Sequence, residues 1–121
     1  MKRTFDKELE QLKRKLLDMA DRAQEMIGYA IGVLTKRDEK LSKNVLKLEK
    51  SVNQMEVEIE EEALKLLALR QPAASDLRLI MAVLKINNDL ERVADQACNI
   101  AETSLFLLKE PPLISRPKAG L

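Results

Sequence analysis

The fold is decided by residues 5–30, which have the sequence FDKELEQLKRKLLDMADRAQEMIGYA. Apolar side chains recur in this stretch at alternating steps of four and three residues, which places them along one side of an α-helix. They are Phe5, Leu9, Leu12, Leu16, Met19, Ala23, Met26 and Ala30. A second series with the same steps consists of Leu41, Val45, Leu48, Val52, Met55 and Ile59. Two such seams predict long helices that pack side by side at shallow crossing angles.

The ends of the first two helices are indicated by residues that cap or break helices. Thr4 is predicted to cap the first helix and Asp38 to cap the second. The break around residues 35–38 is short, so the first two helices are expected to be antiparallel neighbours. Pro72 lacks a backbone N–H and disfavours helical geometry at the residue before it. The second helix is therefore expected to end near Arg70.

The third helix is expected to begin between Pro72 and Ser75 and to run to about Lys109, because Pro111 and Pro112 follow. No segment shows the period-two alternation of a strand. The sequence thus predicts an all-α fold, an elongated antiparallel three-helix bundle with helices roughly 48 Å long at about 1.5 Å per residue. Residues 1–110 form this domain, and residues 111–121, with three prolines and no seam, are interpreted as a Pro-rich linker or tail.

Two smaller features bear on packing within the bundle. Gly28 and Gly32 lie four residues apart inside the first helix, where glycine is unfavourable, so they are predicted to mark a close helix contact. Cys98 falls on the apolar side of the third helix and is predicted to be a small core side chain.

Composition excludes several classes of protein. The chain has no His and a single Cys, so it can form no Ser-His-Asp triad, Cys-His pair, Cys-x-x-Cys site or intramolecular disulfide. With 21 basic and 20 acidic residues, its formal net charge is +1, and it has three aromatic residues. Such a balance gives no electrostatic basis for binding nucleic acid, and three aromatics cannot form a base-stacking platform.

Membrane insertion is not expected either. The longest uncharged run, residues 26–35, has ten residues, whereas a spanning helix needs roughly 20. Charged residues at positions 2, 3, 6, 7 and 8 precede the first apolar run, which argues against a signal peptide. We therefore expect a cytoplasmic protein.

Acidic and amide residues continue an apolar stripe of the third helix that is interpreted as a packing stripe. The stripe that begins with Leu77, Met81 and Leu84 continues as Asn88, Glu91, Asp95, Asn99 and Glu102. Glu91 and Asp95 are four residues apart and share one side of the helix, where like charges repel. The second helix has a counterpart in Glu49, Asn53, Glu56 and Glu60. Carboxylate and amide oxygens on neighbouring helices suit Mg²⁺, Mn²⁺, Ca²⁺ or iron. The alternative is that both stripes are solvated surfaces.

Three segments of the chain give a more specific signal. Residues 70–78 have the sequence RQPAASDLR, and residues 90–95 have the sequence LERVAD. They resemble the RQPxASDLR and LERIGD segments of the PhoU family of phosphate-signalling regulators. Upstream, residues 49–56, EKSVNQME, are similar to its D-x-x-V-N-x-M-E segment. The similarity extends from about Phe5 to Leu108.

The resemblance implies a three-helix repeat, normally present twice in a chain, and a non-enzymatic regulator. It also implies a metal bound by E/D-x-x-x-D motifs, which correspond here to Glu91 with Asp95 and to Glu49 with Asn53. Asn53 replaces the family's Asp, which weakens the cation site. By resemblance, the partners are a sensor kinase and the ATPase subunit of a phosphate transporter, with no organic cofactor.

Two other functions compete with this interpretation. If the single repeat is the natural length, two chains are expected to pair as a homodimer, which would imitate the six-helix unit of a two-repeat chain. If it is a fragment, the function belongs to a longer protein. The first alternative is a generic helical adaptor or dimerisation module with no metal site. The second is a carboxylate-bridged metal enzyme, which is disfavoured because such sites in helical bundles use Glu-x-x-His motifs and the chain has no His.

Overall fold

The computed structural model describes residues 2–109, which form three α-helices. They are α1 (Lys2–Thr35), α2 (Leu41–Arg70) and α3 (Ala74–Leu108). Each helix packs against both of the others. Contacts from successive positions of α1 to α2 fall at decreasing residue numbers, from Arg70 through Glu62 to Ser51, so these helices are antiparallel. The predicted all-α three-helix bundle is confirmed, and the described residues contain no strand.

The two predicted seams form the core together with an inner row of α3. Met19, Met26, Val45, Val52 and Ile59 are fully buried, and the other seam residues, apart from the half-buried Leu41, are buried or pack against this core. Burial of these side chains stabilises the bundle by about 1.5–3 kcal/mol for each large aliphatic residue. The periodicity therefore identified the core faces of α1 and α2 correctly.

The inner row of α3 differs from the predicted packing stripe. Leu77 and Met81 are 40% and 54% exposed, so the interpretation of this stripe as core was wrong for these two residues, whereas Leu84 packs against the core. The row that faces the core consists of Ile80, Val83, Asn87, Leu90, Ala94, Ala97, Ala101 and Ser104. Because most of this row beyond Leu90 is small, its apolar signal is weaker than that of the neighbouring stripe. The acidic stripe consequently lies at the edge of the core, between α3 and α2.

Neither of the two predicted N-caps is used. α1 begins before Thr4, so the prediction that Thr4 caps it was wrong. Asp38 is also not the cap of α2, because Lys40 occupies the N-cap position without a side-chain hydrogen bond. The Asp38 carboxylate instead accepts the Lys40 N–H at 3.0 Å, within the turn. Backbone N–H groups of residues 41–43 bond to carbonyls of residues 38–40, which leaves less need for a side-chain cap.

The break between α2 and α3 agrees with the prediction. α2 ends at Arg70, and Gln71 adopts a left-handed conformation with φ of 44° before Pro72. α3 then begins at Ala74, within the predicted range. The predicted tail, residues 111–121, lies outside the described residues.

The two glycines of α1 differ in their surroundings. A Cβ added to Gly32 would lie 2.7 Å from Leu41 Cδ1, so a close approach at this end of the bundle is confirmed. A Cβ added to Gly28 would have no heavy atom within 4 Å. Gly28 therefore takes no part in a close contact among the described residues.

Candidate functional site

Two helices bring their acidic residues together along one side of α3. We call this cluster the acidic flank and define it by Glu49, Asn53 and Glu56 of α2 and Glu91 and Asp95 of α3. When its amide nitrogen faces α3, Asn53 donates hydrogen bonds to both carboxylate oxygens of Glu91, at 3.2 and 2.9 Å. Two of the predicted metal-binding residues, one from each helix, are thus in direct contact.

Glu91 has the most perturbed carboxyl group of the acidic flank. Burial, followed by repulsion from the charges of Glu56, Asp95 and Glu49, raises its pKa from 4.5 to about 7. Burial also raises the pKa of Glu56, with added repulsion from Glu60 and Asp95. Since each of these electrostatic contributions comes from another carboxylate, the acidic flank concentrates negative charge between two helices.

Cys98 lies at one end of the acidic flank and has an unreactive thiol. It is half-buried and packs against the core, in agreement with its predicted role. Burial, followed by a hydrogen bond to Glu49, raises the pKa of its thiol to about 12. The thiol therefore stays protonated at neutral pH and behaves as a small apolar side chain that donates to a carboxylate.

The remaining acidic and amide residues of the two stripes lie outside the acidic flank. Glu60, Asn88, Asn99 and Glu102 all lie on the surface. Among residues 2–109, no group of three acidic or cysteine side chains has converged in a way that could hold a metal ion. The structure thus brings Glu91 and Asn53 into contact, and places Glu49 and Asp95 near enough to act on Glu91 electrostatically.

The chemistry of the acidic flank suits a hard cation. Its donors are carboxylate and amide oxygens, which are the ligands that Mg²⁺, Ca²⁺ and Mn²⁺ prefer. A cation would also relieve the mutual repulsion that raises the pKa of Glu91. The four predicted residues, Glu49, Asn53, Glu91 and Asp95, therefore have the donor types that such an ion prefers, with two of them on each helix.

Asn87 is a residue of this region that sequence reasoning missed. It is 2% exposed, and its side-chain amide donates to the backbone carbonyl of Glu56 at 3.0 Å. Its own side-chain oxygen is buried without a hydrogen-bond partner among the described residues. The hydrogen bond from Asn87 fixes the position of α3 along the axis of α2, beside the acidic flank. Asn87 is the amide within the inner row of α3. Had that row been identified from the sequence as the one facing the core, a buried Asn87 would have been predicted.

The α1–α2 groove contrasts with the acidic flank. There Lys15 Nζ lies 2.7 Å from Glu62 Oε1, and Arg70 binds both carboxylate oxygens of Glu8 at 2.9 and 3.1 Å. The Arg70 guanidinium lowers the pKa of Glu8. A shallow cleft on this side is lined by residues such as Glu8, Lys15 and Glu62, away from the acidic flank.

Comparison with known proteins agrees with the resemblance seen in the sequence. Residues 16–104 match the family described as the PhoU domain. This chain belongs to the PhoU family. The match contains the whole acidic flank and the turn between α2 and α3. As a PhoU domain, the chain has the fold expected from the segments at residues 49–56, 70–78 and 90–95.

Named relatives are similar over most of this chain. It is 44% identical over 107 residues to the phosphate-specific transport system accessory protein PhoU homolog of Aquifex aeolicus, covering 88% of this chain and 48% of that protein. It is 38% identical over 112 residues to the phosphate-specific transport system accessory protein PhoU of Escherichia coli, covering 91% of this chain and 46% of that protein. The chain thus spans about half the length of these curated relatives.

A solved structure has the same fold. The crystal structure of PhoU from Pseudomonas aeruginosa superposes with a TM-score of 0.84 at 39% identity, covering 87% of this chain and 50% of that one. Within the described part of the chain, none of the helices has the length and apolar character needed to cross a membrane.

Proposed function

We propose that this PhoU domain is a non-enzymatic regulator of phosphate uptake and phosphate signalling in the cytoplasm. The observation that carries the proposal is the acidic flank, where carboxylates of two helices face each other within the matched region. The relatives in Aquifex aeolicus and Escherichia coli are named as accessory proteins of a phosphate-specific transport system. A charged surface that costs stability, in a family of accessory proteins, supports a role in binding rather than in folding.

The proposed partners are a sensor kinase and the ATPase subunit of a phosphate transporter. The chain would act on both through surface contacts, because a bundle of three helices with a filled core offers flat faces and shallow grooves. We propose that the acidic flank is one of these contact surfaces, since its charge would favour a partner with basic residues.

We further propose that the acidic flank holds a divalent or iron-type metal ion. Glu91 and Asp95, one helical turn apart, would bind it from α3, and Glu49 and Asn53 would bind it from α2. Bound there, such an ion would offset part of the negative charge of the carboxylates and link the two helices. Asn53 would then present its carbonyl oxygen rather than the nitrogen that now donates to Glu91.

We also propose that the chain acts as a homodimer. It covers 48% of its Aquifex aeolicus relative, so two copies would supply a helical assembly of similar size. Two-fold symmetric dimers are the commonest form of homo-oligomer.

A phosphate-responsive reporter tests the regulatory role. The chain is expressed in a bacterium that lacks its own PhoU, and a promoter induced by phosphate starvation is followed at high phosphate. The chain is expected to restore repression, and the variant Glu91→Gln/Asp95→Asn is expected to lose at least half of that effect. The matched control Glu58→Gln/Glu61→Gln removes the same charge from exposed positions of α2 and should act like the parent. A promoter as active with the chain as with an empty vector, while the chain is folded and abundant, would contradict the role.

A helical adaptor without a metal is the second candidate. It is favoured by the finding that no three acidic or cysteine side chains of residues 2–109 converge on a common point. This alternative predicts that Glu91→Gln/Asp95→Asn retains full repression in the same reporter.

A further inference from the structure

The side of α3 that faces α1 has an aliphatic residue at every seventh position. These residues are Leu79, Ile86, Val93, Ile100 and Leu107. Val93 and Ile100 each follow, by two positions, a residue on the α2 side, Glu91 or Cys98, so helical geometry turns them toward α1. Ile86, Ile100 and Leu107 nevertheless remain 44%, 37% and 40% exposed. The α1–α2–α3 bundle therefore leaves this row only partly covered.

α1 carries exposed aliphatic residues beside this row. Leu17 and Ile31 are 65% and 46% exposed, and Leu34 is 40% exposed. Lys15 and Arg22 face α2, so Leu17, two positions after Lys15, turns away from α2.

Contacts between helices show which exposed residues of α1 and α3 lie at the same height, that is, at the same position along the bundle axis. Arg22 contacts Met55, and Asn53 contacts Glu91, which places positions 22 and 91 at about the same height. By the same offset, Leu17 lies near the height of Ile86, and Ile31 near that of Ile100. We call the set Leu17, Ile31, Leu34, Ile86, Ile100 and Leu107 the aliphatic face.

Such residues are unusual beside a bundle's core. Positions that flank the core are commonly Glu or Lys, which keep the surface hydrated and pair across the groove. Six large aliphatic side chains with 37–65% exposure leave on the order of 500 Å² of apolar surface, which is close to the largest patch of a typical monomer. With a polar rim, two such faces would exceed the ~1,000 Å² of total buried area expected for a specific interface.

Charge decides which partner fits the aliphatic face. A second copy meeting the acidic flank of the first would place carboxylates against carboxylates, and the α1–α2 groove is already occupied by its own ion pairs. The aliphatic face itself carries no charged residue, and Asp89 at its edge is paired with Lys85 and Arg92 at 3.3 and 3.6 Å. At Gly28 nothing lies within 4 Å of the Cβ position, which leaves room for an approaching helix.

We propose that two copies of this chain pair through their aliphatic faces. The inference rests on the homodimer of the proposed function and is independent of its phosphate role. In a two-fold dimer the same patch is used by both protomers, so a neutral apolar surface meets an identical one and no charge is buried unpaired. The two acidic flanks then remain outside the interface, available to other ligands.

Sedimentation velocity of the intact chain, between 1 and 100 μM, tests this pairing. The parent is expected to sediment as a dimer at the upper concentration. The variant Leu17→Glu/Ile31→Glu is expected to weaken the dimer at least tenfold, because it places carboxylates in the interface. The matched control Leu46→Glu/Leu64→Glu adds the same charges at residues of α2 with 54% and 52% exposure and should leave the dimer intact. Circular dichroism confirms that each variant is folded.

A measurement on the unaltered sequence removes any dependence on how the variants fold. On dilution, the methyl NMR signals of Ile31, Ile86 and Ile100 should shift, while those of the buried Ile59 and Ile80 should not. A monomer at 100 μM would overturn the pairing and with it the homodimer. A dimer that survives Leu17→Glu/Ile31→Glu but dissociates in Leu46→Glu/Leu64→Glu would overturn this face while leaving the homodimer in place. Neither result bears on phosphate regulation, which the reporter measures separately.

Discussion

The two sides of α3 differ in a way that the core between them does not explain. On the side toward α2, Glu91 and Asp95 meet Glu49 and Glu56, and burial together with repulsion raises the pKa of Glu91 to about 7. On the side toward α1, the corresponding positions are aliphatic, such as Ile86 and Ile100. Both sides border the same inner row of buried residues. A helix stabilised by packing alone would carry similar residues on both flanks, and this difference is the basis of the two binding roles proposed above.

The α1–α2 groove shows how the bundle stabilises an ordinary groove. There each of two carboxylates, Glu8 and Glu62, has a basic partner from the other helix. The acidic flank has the opposite arrangement, with carboxylates from both helices. Charge on this bundle is therefore paired where it supports the fold and concentrated where the fold gains nothing from it.

The largest expected effect on stability comes from the core between the two flanks of α3. Ile80 is fully buried, so Ile80→Ala should lower the free energy of unfolding by about 2–5 kcal/mol, through lost burial and the cavity left behind. Urea denaturation followed by circular dichroism measures this. The control Asn88→Ala, at an exposed position of α3, should change it by less than ~0.5 kcal/mol. Equal effects at the two positions would mean that the inner row has been assigned wrongly.

A smaller, pH-dependent effect is expected from Glu91→Gln in chelator-treated protein. The folded pKa of Glu91 is raised to about 7 from 4.5, so the folded state binds more protons than the unfolded state between these values. Parental stability should therefore fall as pH rises from about 4.5 to 7 and stay low above. The variant escapes this loss and should be more stable than the parent above pH 7, by on the order of 1 kcal/mol, with no difference near pH 4.5.

Thermal and urea unfolding at a series of pH values measures the effect of Glu91→Gln. Glu61→Gln, which neutralises an exposed carboxylate of α2, is the control and should show no comparable change with pH. A stability difference between Glu91→Gln and the parent that is constant from pH 4.5 to 8 would show that Glu91 is not under electrostatic strain.

The smallest effect is expected in the α1–α2 groove. Lys15→Ala should lower stability by about 0.2–1 kcal/mol, because the pair with Glu62 is close but partly exposed and is screened by salt. A double-mutant cycle with Glu62→Ala isolates the pairwise contribution, which should decrease at 1 M salt. A coupling energy of zero at low salt would mean that this ion pair does not stabilise the α1–α2 groove, and the contrast with the acidic flank would be lost.

Most of the fold could be predicted from the sequence because its apolar seams repeat over many helical turns. The steps of four and three residues located the core faces of α1 and α2, and Pro72 located the break before α3. The phase of α3 was misjudged because Leu77 and Met81 are larger than the alanines that face the core. Thr4 failed as a cap because helix propensity extends α1 toward its first residues.

The candidate site was predicted in composition but not in arrangement. Spacing placed Glu91 and Asp95 on one side of α3 and Glu49 and Asn53 on one side of α2, and the resemblance assigned both pairs to metal-binding motifs. The contact between Asn53 and Glu91 depends on the heights of two helices, which a single sequence does not encode locally. Asn87, which helps to set those heights, was hidden by the same misjudged phase.

The most direct test of the account is the metal content of the purified chain. The protein is incubated separately with excess manganese, ferrous iron, zinc and magnesium, desalted, and measured by elemental analysis beside Glu91→Gln/Asp95→Asn and the control Glu58→Gln/Glu61→Gln. We expect stoichiometric metal in the parent and in the control, and its loss in Glu91→Gln/Asp95→Asn. Absence of metal from the parent after every incubation, or equal metal in all three proteins, would contradict a metal site on the acidic flank.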